Sequence, residues 1–142
     1  MGSFNVILLA VDKSKESDAA VTVARDLAKL SGGTVELVHV REREVVIGKM
    51  GGAWDLETEE EAEALLAKEA AVLRAAGVTV APRVVRARTE ETAQAIVDTA
   101  EALAADVIVM GTRGLSTFGV LTLGSTAYKV LHASKRPVLV VP

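Results

Sequence analysis

Residues 4–11, FNVILLAV, form a near-continuous apolar run. A strand covered on both faces reads this way, whereas a half-exposed strand alternates with polar residues. The run 107–110 (VIVM) reads the same way, and 34–40 (TVELVHV) and 137–141 (PVLVV) are read as further strands. A further strand is predicted at 78–85 (VTVAPRVV), with Pro82 pointing to an edge position or a bulge. Between these runs the period changes to that of a helix. Apolar residues recur at helical spacing from Ala19 to Leu30, after a candidate N-cap at Ser14 and before Gly32-Gly33. Thr58-x-x-Glu61 has the form of a capping box and opens a helix that runs through Leu65, Leu66, Ala70 and Leu73. Thr89 is the expected cap of the next helix, whose apolar face is Ala93, Ile96, Val97, Ala100, Leu103 and Ala104. A last helix is expected from about Ser125 to Ala133.

Residues 41–57 follow no period. A mixed charge run, Arg41 to Glu44, leads into Val45, Val46 and Ile47 and then into Gly48, Gly51 and Gly52, so a long mobile loop is expected. Five strands separated by helices imply helix-length crossovers and parallel pairing. The predicted fold is α/β, a single domain over 1–142 with an open, doubly wound five-stranded parallel sheet and helices on both faces.

Composition narrows the function. Half of the 142 residues are apolar, enough for one core, but only Phe4, Trp54, Phe118 and Tyr128 are aromatic. A stacking platform for nucleic acid is therefore not expected. The net charge of -3 supplies no basic field for nucleic acid or a membrane surface. Without cysteine, thiol catalysis and disulfides are excluded. No apolar run reaches the length of a membrane span, and the N-terminus lacks the pattern of a secretory signal, so a cytoplasmic location is expected.

The chemistry concentrates after the 107–110 run. There Gly111, Gly114, Gly119 and Gly124 precede Ser125, Thr126 and a helical pattern. Strand, glycine loop and helix start together make an anion site. Glycines let the backbone approach a phosphate closely and take positive φ, and the free N–H groups of a helix N-terminus favour negative charge. The spacing is neither the GxxxxGK[ST] phosphate loop nor the GxGxxG dinucleotide fingerprint. Its form, Gly111-x2-Gly114-x9-Gly124-Ser125, resembles the G-2x-G-9x-G-[ST] signature of the universal stress protein family, in its ATP-binding branch. VILLAVDKS near the start, VELVHV and the closing PVLVV resemble the same family, so the likeness covers nearly the whole chain.

That resemblance implies a strand order of 3-2-1-4-5, which brings Ala10-Val11-Asp12 at the end of the first strand beside Met110-Gly111 at the end of the fourth. It also implies roles. Asp12 would bind the nucleoside part of an adenine nucleotide, and Val40 would offer backbone groups to the base. Val11 and Met110 would be apolar walls, with Gly111 and Gly114 letting the loop wrap the phosphates. Gly124, Ser125 and Thr126 would bind phosphate oxygens. Many family members carry Lys or Arg between the second and third glycines, but here that run, LSTFGVLTL, is uncharged, and Arg113 is the loop's one cation. ATP would then need backbone donors and Mg²⁺ beside Arg113, whereas AMP, ADP or a cyclic nucleotide would need less compensation.

A catalytic set is not apparent. His39 reads as a satisfied core or edge histidine, and His132 as a cation near a helix C-terminus. The resemblance implies a nucleotide-binding stress regulator that acts on protein partners. The alternatives are a nucleotide hydrolase or autophosphorylating enzyme of related fold, and an interaction module that binds no nucleotide. Residues 137–141 hold four apolar β-formers without a charge among them, so an unpaired edge there is expected to form a homodimer.

Overall fold

The computed structural model describes residues 4–112 and 123–142 of the chain. In chain order the elements are β1 (Val6–Ala10), α1 (Lys15–Ser31), β2 (Thr34–Val46), β3 (Gly52–Asp55), α2 (Glu59–Ala75), β4 (Val80–Arg88), a single 3-10 turn (Thr89–Glu91), α3 (Thr92–Ala102), β5 (Val107–Gly111), α4 (Ser125–Ala133) and β6 (Val138–Val141). The parallel sheet runs β4-β2-β1-β5-β6. This is the expected order, with one antiparallel strand, β3, added against the end of β2.

Alternation along the central strands divides the core into two layers. In β1 and the residue after it, Ile7, Leu9 and Val11 face α1 and α2, meeting Ala20, Ala24, Leu66 and Leu73. Leu8 and Ala10 face the other way, toward Ile96 and Val97 of α3 and Ala127 and Val130 of α4. A strand buried on both sides has no polar phase, which is why 4–11 reads as one apolar run. The helix ends obey local chemistry. The Ser14 hydroxyl accepts from the Ser17 N–H, and Gly32 takes φ 74° at the end of α1, a left-handed conformation that glycine tolerates. Thr58 and Glu61 close both bonds of the capping box at 3.1 Å. Leu30, the last apolar position of the first helical run, is 87% exposed.

Several expectations need correction. The 41–57 region is not a long loop: β2 continues to Val46 and turns back through β3. Gly51 permits this turn, because a Cβ there would lie 2.1 Å from the Val46 carbonyl oxygen. The third parallel strand is displaced toward the C-terminus, spanning Val80–Arg88, and its Pro82 lies on a strand that, among the described residues, pairs only with β2. Thr89 does not cap a helix; its hydroxyl donates to the Arg43 carbonyl, and α3 begins at Thr92.

Register also decides where the hairpin lies. Val35 to Val38 pair with both β1 and β4, so these two strands flank β2 on opposite sides. Arg43 pairs with both Asp55 of β3 and Arg88 of β4. Strand β3 must therefore lie on the β1 side of β2, beyond the carboxyl end of β1. That is the end of the sheet where open α/β folds bind ligands.

Candidate functional site

From β1 the chain crosses to β2 on one side, and from β5 it crosses to β6 on the other. Between the carboxyl ends of β1 and β5 the winding therefore reverses, and a cleft opens there. Counted out to open solvent it encloses about 540 Å³. Ala10 at the end of β1 and the following Val11 and Asp12 line it, with Met110 and Gly111 from β5, Val40 from β2 and Thr126 from the first turn of α4. Seven of the expected site residues are thus brought together. Gly124 and Ser125 lie next to Thr126 at the entry of α4 without forming the wall. Arg113 and Gly114, with the rest of the 113–122 segment of the loop, lie outside the described residues.

Helix geometry leaves the N–H groups of the first turn of α4 without intrahelical carbonyls. The first bond of the helix proper runs from the Tyr128 N–H to the Gly124 carbonyl at 2.9 Å. Gly124 itself has φ -65° and ψ 158°, angles open to any residue, so the expected positive φ does not apply at this position. Its N–H donates to the Thr112 carbonyl at 2.8 Å, which ties the helix entry to the end of β5.

The Val11–Asp12 segment is held from several sides. The Val11 N–H donates to the Val38 carbonyl at 2.9 Å. The Val11 carbonyl accepts from Nδ1 of His39 at 2.8 Å, and Nε2 of that ring meets the Glu57 carboxylate. A carbonyl can only accept, so Nδ1 is the donor. His39 is 5% exposed and, as expected, has a partner at each nitrogen. Asp12 Oδ1 accepts from the Ser14 N–H at 2.8 Å and from the Ser17 hydroxyl at 3.0 Å.

Lys13, next in sequence, turns away from this cleft. It donates to Glu61 at 3.0 Å and lies 3.7 Å from Glu57. Its ammonium is held above the usual lysine range, chiefly by the hydrogen bond to Glu61. Glu61 is held below the carboxylate range, first by the Thr58 N–H and then by Lys13. A shallower hollow lined by Lys13, Leu56 and Glu57 adjoins the cleft and shares Asp12, His39, Val40 and Glu42 with it.

Sequence reasoning missed the wall contributed by Thr92 and Ile96 of α3, by Glu42 of the extended β2, and by Ser14, Ser17, Val38 and His39. Ile96 was visible as part of an apolar helical face, but nothing in its spacing separates a cleft wall from a core contact. Acceptors dominate the described charged lining, with Asp12 and Glu42 in the wall. Such a wall suits sugar hydroxyls and amines better than phosphate, which leaves phosphate to the helix entry and the glycine loop. Among the described residues no group of three or more His, Asp or Glu is placed to hold a metal ion, and no helix is long and apolar enough to cross a membrane.

Residues 3–142 match the model described as the Universal stress protein family. A universal stress protein of Mycolicibacterium smegmatis is 35% identical over 95% of this chain, which spans about half of that relative's length (47%). One from Thermus aquaticus is 36% identical, over 97% of this chain and 98% of its own. Among solved structures, a universal stress protein from Archaeoglobus fulgidus superposes with a TM-score of 0.77 at 28% identity, covering 98% of this chain and 99% of that one. The structure of the Archaeoglobus fulgidus protein in complex with dAMP gives 0.72 at 26% identity, covering 98% of each chain. A universal stress protein in complex with cAMP gives 0.75 at 25% identity, covering 97% of this chain and 96% of the other.

Proposed function

The chain belongs to the universal stress protein family, and we propose that it is a member that binds an adenine nucleotide and acts in the cytoplasm as a stress-response sensor for protein partners. The observation that carries this reading is the cleft itself, where Asp12, Val40 within β2, Met110 and the α4 entry at Thr126 converge on the switch point of the sheet. Relatives of the same fold bind dAMP and cAMP, which supports an adenine nucleotide here. In this reading Asp12 accepts from the sugar hydroxyls, Val40 offers backbone groups to the base, and Val11 and Met110 flank it. Gly124, Ser125 and Thr126 receive phosphate oxygens, aided by Arg113, Gly111 and Gly114. ATP would bring Mg²⁺ with it, held mainly by phosphate oxygens. AMP, ADP or a cyclic nucleotide would ask less of a wall in which Asp12 and Glu42 are acidic.

The test is mass spectrometry of ligand released from protein purified under native conditions, paired with calorimetric titration. We expect an adenine nucleotide at near-stoichiometric yield, or binding when one is added. Protein that neither retains nor binds any adenine nucleotide would overturn the reading. Rapid turnover of the bound nucleotide would move it to a hydrolase.

The sensor is further proposed to be a homodimer through β6. That strand ends the sheet, with β5 on one side and, among the described residues, no strand on the other. Leu139 is 41% exposed there. An apolar edge with unpaired backbone groups invites a second copy, and two-fold pairing closes the assembly. Sedimentation at micromolar concentration should give twice the mass of the chain, and a clean monomer would refute the dimer.

A further inference from the structure

The direction of the Asp12 carboxylate matters if it is to meet a sugar, and one side chain governs it. Ser17 sits in the first turn of α1, is 3% exposed and forms part of the cleft wall. Its hydroxyl donates to Asp12 Oδ1 at 3.0 Å and accepts from the Asp12 backbone N–H at 2.7 Å. Ser17 therefore grips residue 12 at both its main chain and its carboxylate. The hydroxyl's single donor is used on that carboxylate. Helix capping does not account for this arrangement. The cap of α1 is Ser14, whose hydroxyl accepts from the Ser17 N–H at 3.4 Å. The main-chain N–H of Ser14 adds a second bond to the same Oδ1 at 2.8 Å. Two donors on one oxygen fix the plane of the carboxylate. The His39 bond to the Val11 carbonyl fixes the backbone that carries it.

We propose that Ser17 is the positioning residue that orients Asp12 toward the sugar hydroxyls of a bound nucleotide, so that this cleft prefers nucleotides carrying those hydroxyls. The proposal rests on the reading that Asp12 meets the nucleoside. A carboxylate free to rotate would spread over orientations and lose part of its selective bond to a hydroxyl, while base and phosphate contacts would remain. Hydrogen bonds to charged groups are strong enough for such a loss to be read as a change in affinity.

The experiment is calorimetric titration of the full chain with AMP and with ATP, each against its 2′,3′-dideoxy analogue, for the parent, Ser17→Ala, Asp12→Ala and the double variant. The parent should prefer the nucleotides that retain the hydroxyls. Ser17→Ala should lower that preference by about tenfold, as expected for loss of a well-directed bond to a charged group, while binding the dideoxy analogues as the parent does. In the Asp12→Ala background the Ser17 change should add nothing. Equal weakening of both nucleotide types, or full retention of the preference, would overturn the positioning role while leaving nucleotide binding intact. A parent that binds nucleotide without preference would instead sink the assignment of Asp12, and the proposal with it. Should Ser17→Ala fail to fold, Ser17→Cys keeps the volume with a weak donor and is read by the same ratio.

Discussion

The two halves of β2 are one strand in geometry and two in energetics. From Val35 to Val38 it lies between β1 and β4, and Val35, Leu37 and Val38 are fully buried. From Arg41 onward it loses β1, keeps β4 only to Arg43, and pairs with β3 to Val46. Side chains there are half-buried, and the sequence alternates charge through Arg41, Glu42, Arg43 and Glu44. Ion pairs replace packing: Arg41 and Arg86 both reach Asp55, at 3.0 and 2.9 Å. The first half is held by apolar area removed from water, at roughly 25 cal/mol per Å². The second is held by cross-strand backbone bonds and screened charges, each worth little alone. The lesson is that backbone pairing continues a strand past the edge of the core, but stability does not continue with it. The cleft lies at this junction, with Val40 and His39 in the buried half and Glu42 in the other. The return of the hairpin is tied back by Glu57, whose carboxylate meets His39 and whose carbonyl accepts from Arg41 at 3.1 Å.

The strongest challenge to this contrast is Leu37→Ala. Removing a fully buried side chain between β1 and β4 should cost about 2–5 kcal/mol through lost transfer energy and a residual cavity. Denaturant unfolding with global loss of amide protection measures it. A loss within about 0.5 kcal/mol, the level typical of surface changes, would mean that the first half is no more core than the second.

A smaller, local effect is expected from Asp55→Asn. It should raise hydrogen exchange at Arg43 to Val46 while leaving the global unfolding midpoint unchanged. Asp55 is held below the usual carboxylate range, first by the Arg86 hydrogen bond, with Arg41 and Arg43 nearby. A folded-state value lowered in this way contributes fully above the unfolded value of 3.8 and is lost as pH falls through the lowered one. Hairpin protection in the parent should therefore be flat near neutrality and fall only in acid, and Asp55→Asn should remove that fall. A parent hairpin whose protection is pH-independent would show that these ion pairs do not hold it.

Much of this molecule was legible in one dimension. The five parallel strands and the caps at Ser14, Gly32, Thr58 and Glu61 stand where reading the chain placed them or nearly so, while Ala10 and Met110 are the neighbours that the family resemblance implied. Thr89 was misread because its hydroxyl serves a carbonyl on β2, 46 residues away, a competitor that local spacing cannot reveal. The charge run at 41–44 was misread as a loop for a related reason. Its alternation carries no apolar phase, and its parallel partner at 86–88 lies far along the chain.

Sequence alone determined which apolar runs become strands and where α1, α2 and α4 begin, because those properties depend on near neighbours and on the period of apolar residues. It also set the glycine spacing from Gly111 to Gly124, a covalent fact. Tertiary structure decided the rest: that β3 lies beside the end of β1, and that Thr92, Ile96 and Glu42 complete the cleft. These are meetings of groups brought together by strand order and register, and no periodicity along a chain encodes which distant backbone will supply the partner.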